Sequence, residues 1–161
     1  MATNHIFNEK LKRFEPIETS CQFCNKRSSD KMDRNYFVPV FREEDRTDII
    51  VYSSVKFKKV LIGIPRCTQC FVIHQKSVYN SWIISVLTGI VCSVLGFVFL
   101  GLYGVFVLIP AFVLSIVAPM LIDSVLIRKK GILTPKDGAM KDPLVQDLVI
   151  SGWSLNQPSP R

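Results

Sequence analysis

The amino-acid sequence predicts a membrane α-helical hairpin, two transmembrane helices, joined to a small β-rich module built around cysteine knuckles. Three observations predict it. "CQFC" at Cys21–Cys24 returns as "CTQC" at Cys67–Cys70. From Ser77 to Ile127 the one charged residue is Asp123. Between the cysteine pairs, "IIVYSSVKFKKVLIGIP", 49–65, is crowded with β-branched and aromatic residues, the composition of strands.

Charge divides the 161 residues into three parts. Residues 1–76 carry 14 Lys/Arg and 9 Asp/Glu, the stretch 77–127 is apolar, and 128–161 adds 6 basic and 3 acidic residues. The expected organisation is therefore a head (1–76), a two-helix hairpin (77–127) and a tail (128–161).

In the head, "NEKLKRFE", 8–15, is expected to form a short helix. "NKRSSDKMDRN", 25–35, reads as a loop and "YFVPVF", 36–41, as a strand that Pro39 confines to a sheet edge. "REEDRTD", 42–48, reads as a charged turn. In the strand material that follows, Ile49, Val51, Val55, Phe57 and Leu61 share one alternating face, with Ser53-Ser54 a place where it bends or divides. Lys56 and Lys58 lie on the other face. The head's charge is small and its acidic residues are interspersed, so a solvated face near anionic headgroups is expected there rather than nucleic-acid binding.

The two CxxC pairs carry the chemistry. Each spacing lets one tight turn present two thiolates to one ion, and a second pair closes a tetrahedral shell without an open position. Cys21, Cys24, Cys67 and Cys70 are the expected ligands of one structural Zn²⁺; a disulfide or redox pair and an iron site are the alternatives. Knuckle, strands, knuckle is the layout of a zinc-ribbon or treble-clef-like module. His74, four residues after Cys70, would share its helical face, but four cysteines already complete the site. A head of this size gains only a few kcal/mol from its core. A structural zinc supplies an apparent ~10–16 kcal/mol in small fingers.

As a single helix, 77–127 would run roughly 75 Å at about 1.5 Å per residue. A bilayer core is about 30 Å thick and is crossed by ~20 residues. Two spans, about 82–100 and 105–127, with the turn "GLYG" at 101–104, fit this length. Basic residues flank both ends (Arg66 and Lys76, then Arg128, Lys129 and Lys130), and "GLYG" carries none. That places both termini in the cytoplasm, with the chain multi-pass in the inner membrane, where thiols stay reduced. "MATNHIFNEKLKRFEP" lacks the apolar core of a cleaved leader, so the first span is expected to direct insertion. Ser85, Gly89 and Ser93 recur on one face of the first span. Small residues let helices approach closely in lipid, so this face is expected to meet either another copy or the second span. Pro110 and Pro119 are expected to kink the second span, and Asp123 near its end is a functional candidate.

In the tail, Asp142 as N-cap, Pro143 at the first helical position and Gly152 as the stop predict a short amphipathic helix over 143–151. Leu144, Val145, Leu148 and Val149 form its apolar stripe, which is expected to dock on Ile49, Val51, Val55 and Phe57 of the head.

The combination of "CQFC", "IPRCTQC" with a nearby histidine, the two-span run and "DPLVQDLVISGW" resembles uncharacterised bacterial membrane proteins with a cytoplasmic zinc-ribbon-like head. The resemblance implies Cys21, Cys24, Cys67 and Cys70 as ligands and the two-span topology, and it brings no activity. No Ser/His/Asp, paired-carboxylate or phosphate-loop constellation is present, and the histidines are His5 and His74. The expected role is non-enzymatic: a membrane-anchored zinc module for protein interaction or assembly. The alternatives are an oligomeric effector or pore controlled by the head, and a membrane-bound redox or metal-handling protein.

Overall fold

The computed structural model describes residues 4–49 and 52–159. The chain divides into two compact units. One contains the N-terminal part through Phe71 together with Pro135 onward; the other is Val72–Thr134.

The first unit is built on four strands, β1 (His5–Asn8), β2 (Arg13–Pro16), β3 (Tyr36–Ile49) and β4 (Tyr52–Ile64), in the order β1-β2-β4-β3. β1 with β2 and β3 with β4 are antiparallel, while β2 and β4 run parallel. The segment 8–15 is thus not a helix. Phe7 stands opposite Phe14 in register and their ring centroids lie 5.1 Å apart. That cross-strand aromatic pair outweighs the helix propensity of the intervening Glu and Lys residues.

The charged segment 42–48 is not a turn either; it continues β3. Glu44 pairs with Lys58 across the two strands, and Arg46 bonds Glu43 along β3. Side chains from Arg42 to Thr47 are exposed, so no apolar alternation marks this arm in the sequence. Pro39 sits on β3, an outer strand of the sheet, where its missing N–H is tolerated. β4 runs unbroken past Ser54.

The expected core face is also displaced. Ile62 and Ile64, not Leu61, are fully buried, on the face shared with Val38 and Val40, while buried Phe41 lies on the other face beside Phe57. Ile49 is 64% exposed, Val55 and Phe57 are half-buried, and Val51 lies outside the described residues. Only the part of the β3–β4 pair near the cysteines is covered, so burial parity is set there.

The tail belongs to this same unit. α3 (Pro135–Met140) and α4 (Pro143–Ile150) follow each other closely. The Asp142 carboxylate accepts from the N–H groups of Leu144 and Val145 at 3.0 and 3.3 Å, capping α4. Gly152, at φ 90°, takes the left-handed conformation that stops it. Among the described residues, the tail meets the strands and the first knuckle at His5, Phe23 and Phe41. Phe41 and Ser154 exchange two backbone hydrogen bonds of 2.8 and 2.7 Å, which close part of the β3 edge.

The second unit is helical. α1 (Thr68–Leu100), whose first turn lies in the head, begins well before Trp82. A 3₁₀ turn, Gly101–Gly104, falls on "GLYG", and α2 (Val105–Lys129) continues through Pro110 and Pro119. By length and composition Thr68–Lys129 counts as one candidate membrane span of 62 residues, with mean hydropathy 2.7 in its most apolar window. Within it α2 contacts α1 in reverse order: Ser77 donates to the Asp123 carbonyl at 3.2 Å, and a Cβ on Gly89 would lie 3.5 Å from Ser115 and one on Gly96 3.0 Å from Val107. Ser77, Ser81, Ser85, Gly96 and Ala111 are turned inward, whereas Val98, Phe99, Phe106 and Met120 are exposed.

Candidate metal centre

The first knuckle is a tight reversal. Ser20 and Ser28 form an isolated antiparallel bridge, and Cys21 N–H donates to the Arg27 carbonyl at 2.7 Å. Asn25 N–H returns to the Cys21 carbonyl at 2.9 Å, and Asn25 itself takes a positive φ of 51°, a conformation asparagine tolerates better than most residues. The apolar residue inside the knuckle, Phe23, is buried and meets the Tyr36 ring edge-on at 6.3 Å. Gln22 N–H donates to the Pro65 carbonyl at 3.1 Å, tying this knuckle to the segment that delivers the second pair.

The second pair sits at the start of α1. Cys67 directly precedes the helix, and its sulfur accepts the Cys70 N–H at 3.5 Å in the manner of a helix cap. The helix N-terminus thus turns its partial positive charge toward the sulfurs, an arrangement that favours thiolates.

The structure brings Cys21, Cys24, Cys67 and Cys70 together with all four sulfurs within 4.8 Å of one another. Cys24 Sγ and Cys67 Sγ lie 3.9 Å apart. Zn–S bonds of about 2.3 Å in tetrahedral geometry imply sulfur separations of about 3.8 Å, so this spacing suits a shared ion. It is far from a disulfide, whose S–S bond is about 2.05 Å. Four cysteines so placed could hold a metal ion. Burial raises the Cys21 thiol above the ordinary range. At Cys24 burial acts the same way but is outweighed by the Lys26 N–H and the neighbouring thiols, which leave it lowered. Cys21, Cys67 and Cys70 are buried and Cys24 is half-exposed.

The other expected site residues lie elsewhere. His74 is outside the cysteine cluster; its Nε2 pairs with the Leu133 carbonyl at 3.0 Å. Gly89 faces α2, and Ser93 bonds its own helix at the Gly89 carbonyl. Ser85 Oγ and Asp123 Oδ1 are buried without a hydrogen-bond partner among the described residues. Cys92 is not a member of the cluster and belongs to the helical unit.

Sequence reasoning missed three features. Gly138 of α3 lies on Phe23: a Cβ there would stand 2.4 Å from the ring. His5 Nε2 lies 3.0 Å from the Gly63 carbonyl and 3.7 Å from the Asp142 carboxylate. Both are acceptors, so Nε2 carries the proton. Burial raises the Asp142 pKa, opposed by His5 and the two capping N–H groups. The third is Arg66, read from sequence only as a basic flank; it is in fact buried beside Tyr36 and Phe71. The one available signal was an apolar residue between two cysteines, marking a knuckle packed under something. Comparison with family models, curated proteins and solved structures finds no match to this chain.

Proposed function

We propose that this protein is a two-span membrane protein whose cytoplasmic head binds one structural Zn²⁺ and serves protein interaction or assembly rather than catalysis. The observation that carries the reading is the set of four sulfurs within 4.8 Å. Four soft thiolates suit zinc, and a shell filled by protein ligands leaves no position for a reacting water. A knuckle, a β-hairpin and then a helix bearing the second pair on its first turn favours a treble-clef-like arrangement over a ribbon.

The membrane reading rests on two supports. Only 11% of the most apolar window is buried within the protein, so large apolar side chains face outward, as they do in lipid. Both flanks of the run, through Phe71 and from Pro135, belong to one compact unit. A run that starts and ends in the same folded unit crosses a bilayer an even number of times. Two crossings, each needing ~20 residues, suit α1 and α2. The basic flanks support a cytoplasmic location for the shared unit.

Purification of the full chain in gentle detergent, followed by native mass spectrometry, tests the zinc reading. One zinc per chain is expected, and well-folded protein free of metal would overturn it. In intact cells a cysteine at Leu102 should react with an impermeant thiol reagent and one at Ser159 should not; the reverse pattern overturns the topology. One observation favours a second reading, an oligomeric effector or pore: the unpartnered Asp123 carboxylate oxygen in an apolar run. A strictly monomeric species in the same spectra removes it.

A further inference from the structure

Of the four clustered cysteines, Cys21, Cys67 and Cys70 are buried and Cys24 is not. Cys24 stands at the open end of the first knuckle, where Asn25, Lys26 and Arg27 are all exposed. A reagent arriving from solvent therefore meets its sulfur first. Its knuckle partner Cys21 is held deeper, with backbone hydrogen bonds to Arg27 and Asn25 on either side. Cys67 belongs to a segment far along the chain, and its sulfur lies 3.9 Å from that of Cys24. A disulfide bond is about 2.05 Å long, so these two sulfurs have roughly 2 Å to close. A side-chain rotation at a half-exposed position covers such a distance.

Sulfurs that ligate a metal are thiolates, the nucleophilic form of cysteine. We infer that Cys24 is an oxidation site for hydroperoxides, and that Cys67 resolves it into a disulfide that displaces the metal. In the first step the Cys24 thiolate attacks one oxygen of hydrogen peroxide. The S–O bond forms, the O–O bond breaks and hydroxide leaves, which gives a sulfenic acid. In the second step the Cys67 thiolate attacks the Cys24 sulfur. The S–S bond forms, the S–O bond breaks and a second hydroxide leaves. Both hydroxides take up protons, so two thiolates, one peroxide and two protons become one disulfide and two waters. The sulfurs lose two electrons and the peroxide gains them. Cys21 and Cys70 are then the ligands left, too few for a closed tetrahedral site. The new bond joins the first knuckle to the segment that opens α1, around β3 and β4, the same two segments that a shared ion would join. The oxidised head thus gives up its metal while its knuckles stay connected, and a dithiol reverses the change.

The inference rests on the zinc reading above, and the experiment separates the two. Full-length protein in detergent is first assayed for zinc; protein that holds none defeats the zinc reading before any oxidant is added. Loaded protein is then treated with hydrogen peroxide, and released metal is followed with a coloured chelator. The products are digested without reduction, and the linked cysteines are located by fragmentation in the mass spectrometer. One zinc released per disulfide is expected, with Cys24 joined to Cys67, and a dithiol with added zinc should restore the original metal content. A disulfide between any other two cysteines, loss of zinc without a disulfide, or zinc retained under a large excess of peroxide each overturns the inference. Brief treatment of loaded protein with iodoacetamide gives a second measure. It should label Cys24 ahead of Cys21, Cys67 and Cys70, and labelling that begins at one of those three overturns Cys24 as the sulfur attacked.

Discussion

The head and the apolar run solve one folding problem with opposite distributions of side chains. In the head most charged side chains face outward, with Arg66 and Asp142 buried, and the core is a short set of residues: Phe23, Val38, Val40, Phe41, Ile62, Ile64, Ala139 and Val145, together with the buried cysteines. In the helical unit, serines, glycines and an alanine face inward, and leucine, phenylalanine and isoleucine face outward. On the proposed reading the difference follows from the solvent around each, water for the head and lipid for the run. The run satisfies its backbone within its own helices and needs only close approach, for which small residues suffice. On the proposed reading the head has too little apolar volume to fold on burial alone, and four cysteines that could hold a metal ion stand where a larger domain would place more core.

The sharpest way to break this contrast is to remove one cysteine from each region. C67S takes a ligand from the cluster and should abolish stoichiometric zinc and unfold the head, a loss approaching the ~10 kcal/mol that structural zinc contributes in small domains. C92S changes a residue that packs within the helical unit and should leave zinc content and head protection unchanged. Metal analysis with amide exchange reads both. Equal damage from the two would mean that the regions do not differ as described.

Glycines sharpen it at a smaller scale. A methyl group at Gly138 would meet the ring of buried Phe23 at 2.4 Å, and one at Gly104 would meet the Gly96 carbonyl at 2.8 Å. Neither neighbour can easily give way, so G138A and G104A should each cost about 1–3 kcal/mol, the ordinary cost of overpacking. At Gly89 the nearest atom is 3.5 Å away, an ordinary contact, and G89A should be close to neutral. Pairing G138A with F23L should recover part of the loss, since the smaller side chain vacates the clash. Thermal unfolding in detergent checks all three glycines, and additivity of G138A with F23L would contradict the contact.

What could be read from the sequence follows from how local each signal is. The cysteine cluster was legible because CxxC spacing is a property of four consecutive residues, and the helix over 143–151 because its cap, proline and glycine stop are neighbours. The turn at Gly101–Gly104 was legible from its two glycines and from length alone. The N-terminal hairpin was not: its evidence is a contact between Phe7 and Phe14, whereas the residues between them favour helix locally. The β3 arm was missed because strands solvated on both faces show no alternation. Docking of the tail was legible as a need, since its stripe wanted cover. Its target was not, because Phe23, His5 and Phe41 come together only through the fold. Arg66 was hidden for a related reason: a basic residue beside a span looks like an orientation signal until its burial is known.

The smallest expected effect lies where the tail joins the head. Asp142 is buried, caps α4 and faces His5, with Glu18 adding an unfavourable charge. Burial leaves its folded pKa above the ordinary aspartate value of 3.8. A raised carboxylate pKa means that the folded state holds the proton more tightly than the unfolded one. The contribution to stability is therefore complete below 3.8 and is lost as pH rises through the folded value, because the unfolded chain ionises first. D142N retains a good cap, since asparagine accepts the same two N–H bonds, but cannot ionise. Stability of D142N relative to wild type should rise with pH across that window and then level off; acid loss of metal affects both proteins and cancels in the difference. D142A removes the cap and should cost about 1 kcal/mol at every pH. Amide exchange of α4 follows both variants. A D142N difference that is flat with pH, or that falls as pH rises, would show that His5 and the capping N–H groups outweigh burial, and that the tail is held by charge rather than in spite of it.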